Sequence, residues 1–160
     1  MHGVWRAQEN AAAEMKLAAI VEIQGDKAQG TAQQYNELAE SLAKVTKYDG
    51  SEMKTALASL VPYGFKLEEL NKILTQSADI AELYGGNVDQ MAQQIGNSLY
   101  APLRKGGGLG GLQKKGFVFT KEQEAAKAKA MKSGDAEAAR DVIWDVLSGQ
   151  GGLSAKLNAN

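Results

Sequence analysis

A chain of 160 residues, 44% of them hydrophobic, is long enough to bury a real core. A net charge of −1 excludes a global field that would draw it to nucleic acid or an anionic membrane, and the lack of cysteine excludes disulfides and thiolate metal sites. No apolar run reaches the roughly 18 residues that a transmembrane helix needs, and no basic segment leads into an apolar run at the N-terminus. Neither a membrane span nor a signal peptide is therefore expected. Ala, Leu and Met supply much of the apolar content, aromatics are 6%, and there are only two prolines. This composition predicts an all-α fold, a compact bundle-like domain of about six to eight helices joined by short Gly-rich turns. Residues 1–27 are expected as a lead-in helix whose Met1-His2-Gly3 has the look of an expression scar, 28–157 as the helical domain, and 158–160 as a tail.

In chain order, an Ala-rich helix over Glu9 to Gln24 places Ala13, Leu17, Ile20 and Val21 on one face, until Gly25-Asp26 interrupts it. Thr31 is the expected cap of a second helix, with Tyr35, Leu38, Ala39, Leu42 and Val45 as its buried stripe. Asp49-Gly50 reads as a turn and Ser51 as the N-cap of a short helix burying Met53, Ala56, Leu57 and Leu60. Pro62-Tyr63-Gly64 ends that helix, since proline has no amide to continue it. The longest helix is expected over Leu67 to Tyr84. Leu67, Leu70, Leu74, Ala78, Ala81 and Tyr84 recur at three and four, and Ile73 and Ile80 widen the face enough for more than one neighbour. Gly85-Gly86 stops it. Asn87 or Asp89 then opens a helix with Val88, Met91, Ala92, Ile95 and Leu99 inward, which Pro102 breaks. Thr120 with Gln123 forms a capping box for the next helix, and Ser133-Gly134 stops it. Asp135 caps the last helix, whose apolar face is Ala136, Ala139, Val142, Ile143, Val146 and Leu147. Strand-like alternation occurs only at Phe117-Val118-Phe119. No repeat of fixed period and no sustained heptad is present.

Few residues offer chemistry. Gly106 to Gly111 satisfies a GxGxxG pattern, but that fingerprint needs a strand before it, and here a helix precedes it; a flexible connector is the expected role. Arg104, Lys105, Lys114, Lys115 and Lys121 flank the loop and could touch phosphates without reading sequence, but an ordinary solvated surface is the expected role. His2 is the one histidine and lies at a terminus, so the usual nucleophile–base pairs and histidine-rich metal sites cannot be built. Glu68-Glu69 and Glu122/Glu124 read as first-turn charges that complement the helix dipole. Trp144 is expected to pack in a core or an interface, and Trp5 is a candidate ligand-facing aromatic. No catalytic, cofactor-binding or metal-binding residue is assigned.

Four blocks occur in an order that resembles phage and prophage tail tape measure proteins. LAESLAKVTKYDGSEMKTALASL, residues 38–60, is similar to that family's helix, short turn and capped helix. Within 74–99, ADIAELYGGNVDQMAQQIGNSL resembles its paired helices around a double-glycine turn. GLQKKGFVFTKEQE, 111–124, matches its glycine, aromatic, then Thr and glutamine-containing first turn, and SGDAEAARDVIWDVLSGQGG closes the match. The likeness spans roughly 30–157. It departs at Tyr100-Ala101-Pro102, where relatives often carry Asn-Asp-Pro, and at Lys127 and Ala130, where larger apolar residues are expected.

The resemblance implies a structural, non-enzymatic module that acts in tail assembly and tail-length determination. Its implied partners are further copies of itself, tail tube subunits, tail assembly chaperones and tail tip proteins. Its implied location is the lumen of the virion tail, and the host cytoplasm during assembly. At 1.5 Å per residue the whole chain as one helix would reach only about 240 Å, so a part of a longer ruler protein is expected. Glu40-Ser41 resembles the Glu-Ser pair of lytic transglycosylases, domains that some tape measure proteins carry. That family's downstream glycine-leucine-methionine-glutamine signature is missing, and Glu40 is expected as an exposed residue on the outer face of its helix. A tail-associated lytic (peptidoglycan-cleaving) or DNA-contacting module is the alternative.

Overall fold

The computed structural model describes residues 2–103 and 109–149, with side chains from Ala7 onward. Of the described residues 82% are helical and none is in a strand. The fold is all-α. Seven α-helices occur among them: α1 (His2–Gln24), α2 (Ala32–Val45), α3 (Gly50–Leu60), α4 (Leu67–Tyr84), α5 (Val88–Tyr100), α6 (Lys121–Ser133) and α7 (Ala136–Gly149). The chain divides into two units, with the boundary inside α5 at Gln93/Gln94.

In the first unit, several helix ends have a local cause. The Thr31 hydroxyl accepts from the Gln34 amide at 3.1 Å while the Gln34 side chain accepts from the Thr31 amide at 2.8 Å, which satisfies two orphan donors at the start of α2. α3 is capped by Asp49 and not by Ser51. Asp49 Oδ1 accepts from the Glu52 amide at 2.8 Å, and Glu52 reaches back to the Asp49 amide at 3.3 Å. A second capping box thus starts the helix two residues earlier than the Ser51 signal suggests. The α3 end tightens into a 3-10 turn over Val61–Tyr63, and Gly64 leaves it at φ 80°. Gly85 ends α4 at φ 71°, a left-handed backbone that glycine adopts without a Cβ penalty. Asn87 Oδ1 then accepts from the Asp89 amide at 2.7 Å and opens α5.

α1 packs most extensively on α3 and also touches α2, and α4 lies against both α2 and α3. Within the stretch expected as a lead-in, α1 packs on α2 and α3 with Leu17 and Val21 buried. The broad face of α4 is buried as expected at Leu70, Ile73, Leu74, Ala78, Ile80 and Ala81, with Leu67 and Tyr84 half-exposed at its ends. On α2 the buried stripe is narrower than the sequence suggests. Tyr35, Ala39 and Leu42 are buried, Leu38 is half-buried, and Val45 is 78% exposed. The helix stops right after Val45, where the Thr46 hydroxyl turns back to the Leu42 carbonyl and the face ends one turn early.

In the second unit α6 and α7 pack against each other. Thr120 and Gln123 form the expected capping box at 3.1 and 2.8 Å, and Asp135 Oδ1 accepts from the Ala138 amide at 3.0 Å. Ala139, Val142, Ile143, Val146 and Leu147 are buried, whereas Ala136 is half-exposed. Part of the expected Gly-rich connector is packed structure: a 3-10 helix over Gly110–Lys115 buries Leu112, and Leu109 before it is also fully buried. Phe117-Val118-Phe119 forms no strand; Phe117 is buried and Val118 exposed in the link to α6. Arg140 Nε donates to the Leu99 carbonyl at 2.9 Å, so a cation meets the free carbonyls at the end of α5.

Candidate functional site

Two polar features of the first unit stand out. The first is Lys54, which is 1% exposed on the face of α3 that also buries Met53, Ala56 and Leu57. By angle, residue 54 falls inside the apolar stripe, three before Leu57, so the lysine stem packs as a hydrophobe and the ammonium must find partners inside. It finds them on two other helices. Nζ lies 2.5 Å from Glu40 Oε1 of α2, donates to Asn10 Oδ1 of α1 at 2.7 Å, and is 4.0 Å from Glu14 Oε2 of α1. Gly50 closes the cluster from α3, where a Cβ would sit 3.0 Å from Asn10 Oδ1 and 3.1 Å from Glu40 Oε1.

Glu40 is thus half-exposed and ion-paired, not a free residue of the outer face. The hydrogen bond from Lys54 holds its carboxyl below the ordinary carboxylate range against the opposing effect of partial burial. The Lys54 charge, a hydrogen bond from Asn10 and the Lys44 charge act in the same direction as that bond. A glycosidase general acid needs the reverse, a carboxyl kept protonated by an apolar pocket.

The second feature is an open cleft of about 440 Å3 lined by Glu9 and Lys16 of α1, Glu52 and Thr55 of α3, and Asn87 and Asp89 at the start of α5. Several of its polar groups already serve the fold. Asp89 accepts from the Ser59 hydroxyl at 2.7 Å and from Gln93 at 3.2 Å, Asn87 caps α5, and Glu52 completes the α3 capping box. Among the described residues no group of three or more His, Cys, Asp or Glu is placed to hold a metal ion.

Of the other residues with candidate chemistry, Arg104, Lys105 and Gly106 to Gly108 lie outside the described residues, as do the side chains of His2 and Trp5. Lys114 and Lys121 are exposed and Lys115 half-buried. Glu68, Glu69, Glu122 and Glu124 stand in the first turns of α4 and α6, where a negative charge meets the dipole. Trp144 is half-buried on α7. Lys127 packs its ammonium 4.6 Å from the centre of the Phe119 ring, and burial lowers its pKa. Sequence reasoning missed the Lys54 cluster. The available signal was a lysine at a core angle of an otherwise apolar face.

Fold and site together define an all-α protein whose one deeply buried charge among the described residues ties three helices to one another. No family model matches the chain, and no curated protein or solved structure matches it either.

Proposed function

We propose that the chain is a structural module of a phage or prophage tail tape measure protein and acts in tail assembly and tail-length determination through protein contacts. The observation that carries this reading is the order of the four blocks, 38–60, 74–99, 111–124 and 133–152, which is similar to the order in that family. Contact chemistry suits the helices as well. Ala11, Met15, Ala19 and Ile23 form an exposed row at four-residue spacing along α1, with Met15 73% and Ile23 81% exposed. Such a row is the kind of ridge one helix sets into the groove of another. The proposed partners are further copies of the chain, tail tube subunits, assembly chaperones and tail tip proteins, met in the host cytoplasm during assembly and then in the tail lumen.

The lytic alternative has no support in the geometry of Glu40, whose charge is engaged by Lys54. The test with the greatest reach is the genomic neighbourhood of the open reading frame. Tail tube and assembly-chaperone genes beside it are the expected result, and a neighbourhood without virion genes overturns the proposal. A peptidoglycan zymogram is expected to stay uncleared. Clearing that Glu40→Gln abolishes would promote the lytic reading, and a DNA shift that weakens steeply with salt would promote the DNA-contacting one.

A further inference from the structure

The cluster around Lys54 has a consequence for how α1 is held. The lysine is rooted in α3, its main anion is on α2, and Asn10 and Glu14, which complete the cluster, are both on α1. α1 packs on α3 and α2, and among its described side chains only Leu17 and Val21 are buried. α2 buries Tyr35, Ala39 and Leu42 and also packs on α4, with which α1 has no comparable contact. We propose that the Lys54 cluster is an acid-sensitive latch: it fastens α1 onto the α2–α3 pair, and α1 opens ahead of the rest of its unit once Glu40 takes up a proton.

The physical argument is one of desolvation. A buried ammonium is tolerated while a carboxylate neutralises it, and it becomes costly when that charge is removed. The ammonium can regain water when the helix that carries Asn10 and Glu14 moves away. The charged groups that bear on Glu40 are Lys54 of α3 and Lys44 of its own helix, and Glu14 of α1 is the second carboxylate near Lys54. Because the pairing depresses the Glu40 pKa in the folded state, its stabilisation is complete above the ordinary carboxylate range and is lost as pH falls through the lower folded value. Opening is therefore driven by acid and not by base.

Hydrogen exchange of the full chain, read as the ratio of α1 to α4 exchange rates in the same sample, removes the intrinsic pH dependence of exchange. Between neutral pH and pH about 3 this ratio is expected to rise severalfold, as protonation removes the stabilisation that the Glu40 carboxylate supplies. Glu40→Gln is expected to raise it at neutral pH, because the charge is gone while the shape is kept. Lys54→Met should leave the ratio independent of pH. A flat ratio in the unaltered chain overturns the proposal, as does loss of protection in α1 and α4 together, or an acid-induced rise that persists in Lys54→Met. Should Lys54→Met not fold, the titration of the unaltered chain and Glu40→Gln decide the matter by themselves: no rise in either overturns the latch.

Discussion

Lys54 shows how one residue can be both core and charge. Its four-carbon stem fills a position that Met could fill, while its ammonium draws Asn10, Glu14 and Glu40 into one cluster. Removing the anion strands a buried ammonium and is costly, whereas removing the ammonium leaves Glu40, half in solvent, free to rehydrate. Glu40→Ala is expected to cost about 2–3 kcal/mol, below the range for a fully buried pair because its carboxylate is half in solvent. Lys54→Met is expected to change stability by about 1 kcal/mol or less in either direction. Urea midpoints with unchanged slopes check both, and equal losses for the two variants would contradict the account. The start of α3 gives a second residue-scale test. Asp49→Ala should cost about 1 kcal/mol and Ser51→Ala only a few tenths, because Asp49 and not Ser51 accepts from an orphan amide there. The reverse order of losses would return the cap to Ser51.

At the scale of the element, each helix is as deeply buried as its apolar stripe is wide. α4 presents apolar groups over a broad arc and lies against two helices, so Leu74 is completely buried. α6 buries only Ala130 and depends on its Thr120–Gln123 capping box, on Gln123 bonding to Asp145 of α7 at 2.9 Å, and on the Lys127–Phe119 contact. The buried stripe of α2 ends at Leu42: Val45 is the last residue of the helix and is exposed, and the Thr46 hydroxyl beyond it bonds back to the Leu42 carbonyl. Leu74→Ala and, in the second unit, Ile143→Ala are each expected to cost about 2–5 kcal/mol, since the transfer and cavity terms add. Val45→Ala should stay within about 0.5 kcal/mol. Denaturation midpoints check the three together, and a Val45 effect equal to that of Leu74 would mean that α2 is rotated.

At the scale of the whole molecule, two units meet in sequence inside α5, and helix is the one regular structure among the described residues. A far-ultraviolet circular dichroism spectrum with the paired minima of α-helix is expected, and a strand-dominated spectrum would contradict the fold. The division at Gln93/Gln94 carries no punctuation in the sequence. Val88, Met91, Ala92, Ile95 and Leu99 continue one apolar face across it without glycine or proline between Asp89 and Ile95.

The sequence by itself determined what is local. The helical class, the bounds of α4 from Leu67 to Tyr84, the glycine stops at Gly85 and Gly134, and the caps at Thr31, Thr120 and Asp135 all follow from side chains within four residues of the backbone groups they satisfy. The buried faces of α4, α5 and α7 were legible for the same reason, since a period of 3.6 is written in the order of the residues. Only the tertiary structure decided which of two adjacent capping signals starts α3, where the α2 stripe ends, that Leu109 and Leu112 pack in the Gly-rich stretch, and where the chain divides. It alone brought Asn10, Glu14 and Glu40 to Lys54, at separations in sequence of 44, 40 and 14 residues. A buried charge is compensated by whatever the packing of other helices brings near it, and nothing in the residues beside Lys54 specifies those partners.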